Sequence, residues 1–168
     1  MVPASRRHIV HVGVGSNVER EHNIRSGVKA LRERFRNVSI SSVYESAAVG
    51  FDGDPFYNLV VRLETELTID ALGVTLRQFE DAHQRDRSLS SFGPRTLDID
   101  LLLYDDVVLQ QGKLQLPRDE IDRHAFVLRP LAELSGDLVH PISGETFSAL
   151  WQQFDQASQP LIAVAFDW

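Results

Sequence analysis

Two aspartates stand two residues apart in a run that is otherwise apolar. Residues 92–106 read FGPRTLDIDLLLYDD, with Asp98 and Asp100 set among leucine and isoleucine. In a β-strand, side chains alternate at about 3.3 Å per residue, so both carboxylates leave one face with Cα atoms roughly 6.6 Å apart. Carboxylates this close repel, and burying either without a counter-charge is costly. A cation between them removes the conflict. One or two carboxylates, completed by water and substrate phosphates, are the usual protein share of a Mg²⁺ site in phosphoryl transfer. Arg85, Arg87 and Arg95 fall within the eleven positions 85–95 that lead into the aspartates, and they are the groups a phosphate chain would meet. The plainer alternative is a solvated sheet face, or two ion pairs with Arg95 and a neighbour. Gly93-Pro94 fixes the backbone ahead of Arg95, and Leu101, Leu102 and Leu103 speak against a solvated or edge strand.

The elements that must hold these groups follow from periodicity. Residues 8–14 alternate as a first strand, ending at Gly15-Ser16-Asn17. Ile24, Val28, Leu31 and Phe35 share one face of a helix over 20–36. Val38 and Ile40 alternate with serines into Ser41–Ser46 as a second strand. In FYNLVVRLETEL, Leu59, Val61, Leu63 and Leu67 face one way and Val60, Arg62, Glu64 and Glu66 the other, the pattern of a half-buried antiparallel strand. Thr68 caps a second helix with the stripe Leu72, Leu76 and Phe79, and Glu80 and His83 fall near its end. LDIDLLLY is the fourth strand. The order β-α-β-β-α-β predicts an α+β fold of the ferredoxin-like, split βαβ kind, with helices on one face of an antiparallel sheet and the other face free for ligands. The last third is a C-terminal elaboration: short strands at Val107–Leu109 and Leu114–Leu116, then helices in AFVLRPLAEL and GETFSALWQQF.

Composition bounds the rest. At 168 residues the chain fits one domain, expected to span 1–168, with 43% hydrophobic residues to build a core. It has no cysteine, so disulfides and thiolate metal sites are excluded and a cytoplasmic location is the expectation. No run approaches the roughly 20 apolar residues of a membrane helix, and no membrane partner is expected. The formal charge of −7 makes nonspecific attraction to nucleic acid weak, so none is expected as a partner, and an anion must be met locally. A ferredoxin-like RNA-binding module is the rival from another class, and the paired aspartates would repel phosphate there unless metal is present.

The motif GPRTLDIDLLLYDD, with VYES and FYNLVV before it and PRDEIDRHAFVLRPLAEL after it, resembles the 6-hydroxymethyl-7,8-dihydropterin pyrophosphokinase family, from GVGSN at 13–17 to HPISGE at 140–145. The resemblance implies a ferredoxin-like core, and transfer of a pyrophosphoryl group from MgATP to the hydroxymethyl of a reduced pterin, releasing AMP, in folate biosynthesis. It implies that Asp98 and Asp100 hold two Mg²⁺ ions on the ATP phosphates, that Arg85 and Arg95 grip those phosphates, and that Arg87 and Glu80 lie at the nucleotide. Phe56 and Phe126 match an aromatic pair enclosing the pterin, Asn58 the side chain that bonds its edge, and Phe92 an aromatic on a loop that closes over the site. Ser46 and Val49 stand in the loop before the pterin site.

Four positions depart from the family pattern. The Thr-x-Pro-x-Gly loop reads Ser46-Ala47-Ala48-Val49-Gly50, without its proline, and a basic residue is replaced by Ser91. The family's Pro-His reads Pro117-Arg118, and the arginine two before the stacking aromatic is His124, with Arg123 preceding it. Arg118 and His124 therefore remain candidates for ATP contact, and pterin recognition reads as better kept than nucleotide recognition. An active monomeric enzyme with altered ATP affinity is the expectation; a divergent paralogue that binds a pterin or nucleotide with weak or no pyrophosphokinase activity is the alternative.

Overall fold

The computed structural model describes residues 6–47, 53–83 and 97–168. Strand β1 (His8–Ser16) runs between β4 (Phe56–Thr65) and β5 (Asp98–Tyr104), antiparallel to both. Strands β2 (Arg36–Ile40) and β3 (Val43–Ser46) both pair with β4 on its far side. Between β1 and β2 lies α1 (Arg20–Arg34), and between β4 and β5 lies α2 (Ile69–Ala82), whose first turn is capped by Thr68 Oγ1 accepting from the Ala71 N–H at 3.2 Å. The predicted β-α-β-β-α-β order is present, with its second strand broken in two. The break has a local cause: Ser41 Oγ accepts the Val60 N–H at 2.9 Å and donates to the Ser42 carbonyl, so a side chain takes the place of a ladder rung.

The elaboration supplies a hairpin, β6 (Leu109–Gln111) and β7 (Leu114–Leu116), its first strand two residues later than predicted. It also supplies α3 (Glu120–Arg123), α4 (Ala125–Ser135), α5 (Phe147–Gln153) and an edge strand β8 (Ile162–Val164) that pairs with β3; α3 and β8 are not predicted from periodicity. Among the described residues no helix is long and apolar enough to cross a membrane.

Two apolar layers form, one on each face of the sheet. On the first, Val10, Val12 and Val14 of β1 join Leu59, Val61 and Leu63 of β4 and meet Ile24, Val28 and Leu31 of α1 and Leu72 and Leu76 of α2. On the second, Val60 and Leu102 pack under Ile121, Val127, Leu128, Leu131 and Phe147. This corrects the expectation of a free second face. Val60, assigned to the solvent side of a half-buried strand, is 1% exposed because α4 lies on β4. Buried apolar area, not alternation alone, decides which face is wet.

A second correction concerns β5, which lies at the edge of the sheet. Its leucines are buried because helices cover both faces. Its outer backbone edge is met by other groups: the Ile99 N–H donates to Glu80 Oε2 at 3.0 Å, and the Leu102 carbonyl accepts from the Arg118 N–H at 3.0 Å.

His11 projects into the second layer, where its Nε2 sits 2.8 Å from Ser135 Oγ of α4 while Nδ1 has no hydrogen-bond partner. Burial, reinforced by the Arg62 charge beside it, lowers its pKa from 6.5 to about 4. The unfolded chain then binds more protons than the folded one between those values, so stability is full above pH 6.5 and falls as pH drops toward 4. Chemical denaturation across this window is expected to show a loss of up to about 3 kcal/mol from this residue. His11→Gln should flatten that part of the profile; equal slopes in both proteins would remove His11 as the cause.

Candidate active site

The aspartates face a gap made by missing side chains. On β1, Gly15 is paired with Asn58 on one side and Asp98 on the other; Gly13 is paired in the same way with Val60 and Asp100. Strands lie about 4.8 Å apart, so Asn58 and Asp98 stand roughly 9.6 Å apart at Cα across a glycine. Asp98 is half-buried, and the Asp100 side chain is 42% exposed. Their placement on one face of β5 agrees with the alternation expected from sequence.

The start of β5 is fixed from below. Leu97 is fully buried against α1 at Gly27, where an added Cβ would come 3.1 Å from both of its terminal carbons. Glu80, 8% exposed at the end of α2, accepts from the Ile99 backbone, so it grips the strand at the residue between the two aspartates. His83 closes the same helix, its ring nitrogens 2.7 Å from the Phe79 carbonyl and from Ser26 Oγ of α1.

On the other side of the gap, Asn58 is 8% exposed and its Nδ2 donates to Ser46 Oγ at 2.8 Å. Ser46 ends β3 directly beside Phe56, which opens β4 and is half-buried. Strand β3 is tied to α4 through Glu133, which accepts from the Ser42 N–H at 2.7 Å, from the Ser42 hydroxyl and from the Tyr44 hydroxyl. Arg20 holds the start of β4: it lies 3.8 Å over the Tyr57 ring, pairs with Glu45 at 2.9 Å and donates to the Pro55 carbonyl.

The residues that depart from the family pattern occupy the approach to α4. Arg118 lies 3.8 Å from Asp100 Oδ1 and 3.4 Å from Glu120 Oε1. Burial lowers its pKa, but Asp100, Glu120 and Asp119 outweigh that and raise it above the ordinary value, so it is a permanent cation. His124 caps α4, its carbonyl accepting from Val127 and Leu128, and its ring stacks on Phe126 at 4.8 Å and 16°. Burial and the Arg123 charge lower its pKa against the pull of Glu120 and Asp119, so His124 is neutral at neutral pH. Phe126 itself is half-buried on the second apolar layer. Gln159 pins this turn from the C-terminal segment, accepting from the Ala125 N–H and donating to the Arg123 carbonyl, both at 2.9 Å.

Arg85, Arg87, Phe92 and Arg95, with Ser91, Ala48 and Val49, lie outside the described residues. Among the described residues no group of three or more metal-ligating side chains is present, so a metal here would depend on the aspartate pair and on ligands brought by substrate. The donor set fits Mg²⁺: two carboxylates, hard oxygen donors, on one face of β5. Gly13 and Gly15 went unread from sequence as site residues; the signal was their alternation on the face opposite the strand's valines.

The family model for 7,8-dihydro-6-hydroxymethylpterin-pyrophosphokinase (HPPK) matches residues 11–136. The chain belongs to the HPPK family. It is 35% identical over 135 residues to the 2-amino-4-hydroxy-6-hydroxymethyldihydropteridine pyrophosphokinase of Aquifex aeolicus, covering 79% of this chain and 84% of that one. The enzyme of the same name from Haemophilus influenzae is 34% identical over 148 residues, 86% and 91% of the two chains. Among solved structures, Plasmodium falciparum HPPK-DHPS with pteroate superposes with a TM-score of 0.69 at 13% identity, over 90% of this chain and 44% of that one. The chain thus spans less than half of that longer HPPK-DHPS chain, and at this identity the likeness speaks to the fold. The strand pairs that set the gap, Gly15 with Asn58 and with Asp98, lie inside the segment matched to HPPK.

The gap yields a sharp contrast between its two glycines. A Cβ on Gly15 would come 2.7 Å from Asn58 Oδ1, closer than real contacts allow, whereas one on Gly13 would meet Leu102 at an ordinary 3.6 Å. Gly15→Ala is therefore expected to weaken pterin binding by at least about tenfold, by displacing a buried amide. Gly13→Ala should leave it within about twofold. Fluorescence titration with 6-hydroxymethylpterin checks both, and similar losses in the two variants would contradict this account of the floor.

Proposed function

We propose that this chain transfers a pyrophosphoryl group from MgATP to the hydroxymethyl oxygen of 6-hydroxymethyl-7,8-dihydropterin, releasing AMP, as a step of folate biosynthesis. The observation that carries the reading is the single row of the sheet in which Asn58 and Asp98 face each other across Gly15. It sets an amide suited to a heterocycle edge opposite a carboxylate suited to a metal-bound phosphate. In the reaction the hydroxymethyl oxygen bonds to the β-phosphorus of ATP, the bond from that phosphorus to the α-phosphate bridging oxygen breaks, and the hydroxyl proton is lost. Such transfers need little covalent help; they need the two substrates held in line and their charge balanced.

In this reading Phe56 and Phe126 enclose the pterin plane, Asn58 bonds its edge, and Ser46 and Val49 complete the slot. The flat stack of neutral His124 on Phe126 backs the second aromatic and keeps its ring upright, in place of a direct charge on ATP. Asp98 and Asp100 are assigned to two Mg²⁺ ions, which when bound offset phosphate charge. Arg118, already beside Asp100, meets the phosphates from the hairpin side, with Arg85, Arg87 and Arg95 assigned to the same phosphates and Phe92 to the nucleotide by family resemblance. Glu80 serves the nucleotide end by holding Ile99 and hence the carboxylates on either side of it.

Asp98→Ala and Asp100→Ala are each expected to lower AMP formation from MgATP and the dihydropterin by at least about a hundredfold. Pterin affinity, read by fluorescence, should stay within about threefold, because Asn58 is untouched. Near wild-type turnover in either variant would refute the metal assignment. Arg118→Gln should raise KM for ATP by about tenfold, the loss of one charged contact, with the pterin dissociation constant unchanged.

A further inference from the structure

We infer that residues 159–168 form a strap that holds the two aromatic walls of the site at a fixed separation, with Gln159 and Phe166 as its positioning residues. The inference rests on the pterin reading above and adds a determinant of pterin affinity that lies outside the gap itself.

The first N–H groups of a helix have no partner within it and are usually met by a side chain at the N-cap. His124 supplies no such bond at the start of α4. The partner comes from 34 residues beyond Ala125: Gln159 Oε1 accepts the Ala125 N–H, and its Nε2 donates to the Arg123 carbonyl, both at 2.9 Å. A backbone N–H only donates and a carbonyl only accepts, so the two bonds together leave the amide one orientation. They fix the backbone on both sides of His124. Phe126 follows directly.

The same segment then reaches the other wall. Strand β8 pairs with β3, Val164 with Val43 and Ile162 with Glu45. Beyond it the Phe166 ring meets Tyr57 edge-on, at 6.2 Å and 78°. The Arg25 guanidinium of α1 lies 5.4 Å over Phe166 and donates twice to the Asp167 carbonyl, at 2.6 and 3.0 Å. Tyr57 is the residue after Phe56, at the opening of β4. One short run of chain is thus bonded both to the turn that carries Phe126 and to the strand that carries Phe56. It is held by these point contacts more than by burial, since Ile162 is 63% exposed and Trp168 48%. Loosening one end therefore moves one wall. Contacts between stacked planes weaken sharply within an ångström of their best separation, so a slot for a flat ring is sensitive to that movement.

The test combines steady-state kinetics with MgATP and the dihydropterin, fluorescence titration with 6-hydroxymethylpterin, and amide hydrogen exchange at Ala125 as a direct readout of the anchor. Gln159→Ala should speed exchange at Ala125 by at least about tenfold. It should also raise the KM and dissociation constant for the pterin about fivefold, leave the KM for ATP within about twofold and alter kcat less than about twofold. Phe166→Ala should raise the pterin KM about threefold, and Phe166→Tyr, which keeps the ring, should restore it. Pterin constants unchanged in both alanine variants, unchanged exchange at Ala125 in Gln159→Ala, or equal losses for ATP and pterin, the mark of general destabilisation, would each overturn the inference. Absence of pterin binding by the unmodified chain would overturn the pterin reading beneath it, and with it the role given to the strap.

Discussion

The structure depends on one asymmetry of its central strand. One face of β1 presents Val10, Val12 and Val14, which are buried and lock the sheet to α1 and α2. The other presents His11, Gly13 and Gly15, bulk that dwindles along the strand. Helix α4 covers the His11 end, where Ser135 meets the imidazole. Beyond it the missing side chains leave a lane flanked by β4 and β5, and Asn58, Asp98 and Asp100 border that lane because they pair with Gly15 and Gly13. The site is made by subtraction within an otherwise filled sheet. This explains why so much of the surrounding structure is backbone support: Glu80 on Ile99, Arg118 on Leu102, Ser41 on Val60 and Glu133 on Ser42 each hold a strand bordering the lane or next to it.

Much of this was legible in the sequence because the signals were periodic. The two main helices, the valine face of β1 and the placement of both aspartates on one face of β5 follow from spacing alone. The errors share a cause. A leucine run reports that a strand's faces are covered, but nothing in it reports whether a neighbour pairs its backbone, so β5 read as interior when it is an edge. Val60 read as solvent-facing because alternation cannot reveal that α4 comes back across the sheet from more than sixty residues later. The break at Ser41 hides for a different reason: a serine that replaces a ladder bond is identical in sequence to one that decorates a strand.

Within the site, residue types were legible and partnerships were not. Asn58 and the aspartates announce themselves as polar groups in apolar strands. That Ser46 bonds Asn58 and that Arg118 faces Asp100 are facts of register and of chain return, which no local pattern carries. Glu80 shows the same limit most clearly. Family resemblance assigns it to the nucleotide, and no local pattern reveals that its carboxylate also accepts the Ile99 N–H of the strand that bears the aspartates.

The exchange of basic groups at Arg118 and His124 is coherent in physical terms. An arginine two residues before Phe126 would bring a permanent charge to the start of α4, where the helix dipole disfavours a cation. The histidine that stands there instead is held neutral by burial and by Arg123, and so stacks on Phe126 without the cost of desolvating an ion. The cation appears at Arg118, where Asp100 and Glu120 raise its pKa and keep it charged. Charge has thus moved from the aromatic side of the site to the carboxylate side. On the proposed function that shift preserves the positive charge available to phosphate and makes the pterin slot less polar, so the departures redistribute the electrostatics of the site without dismantling it.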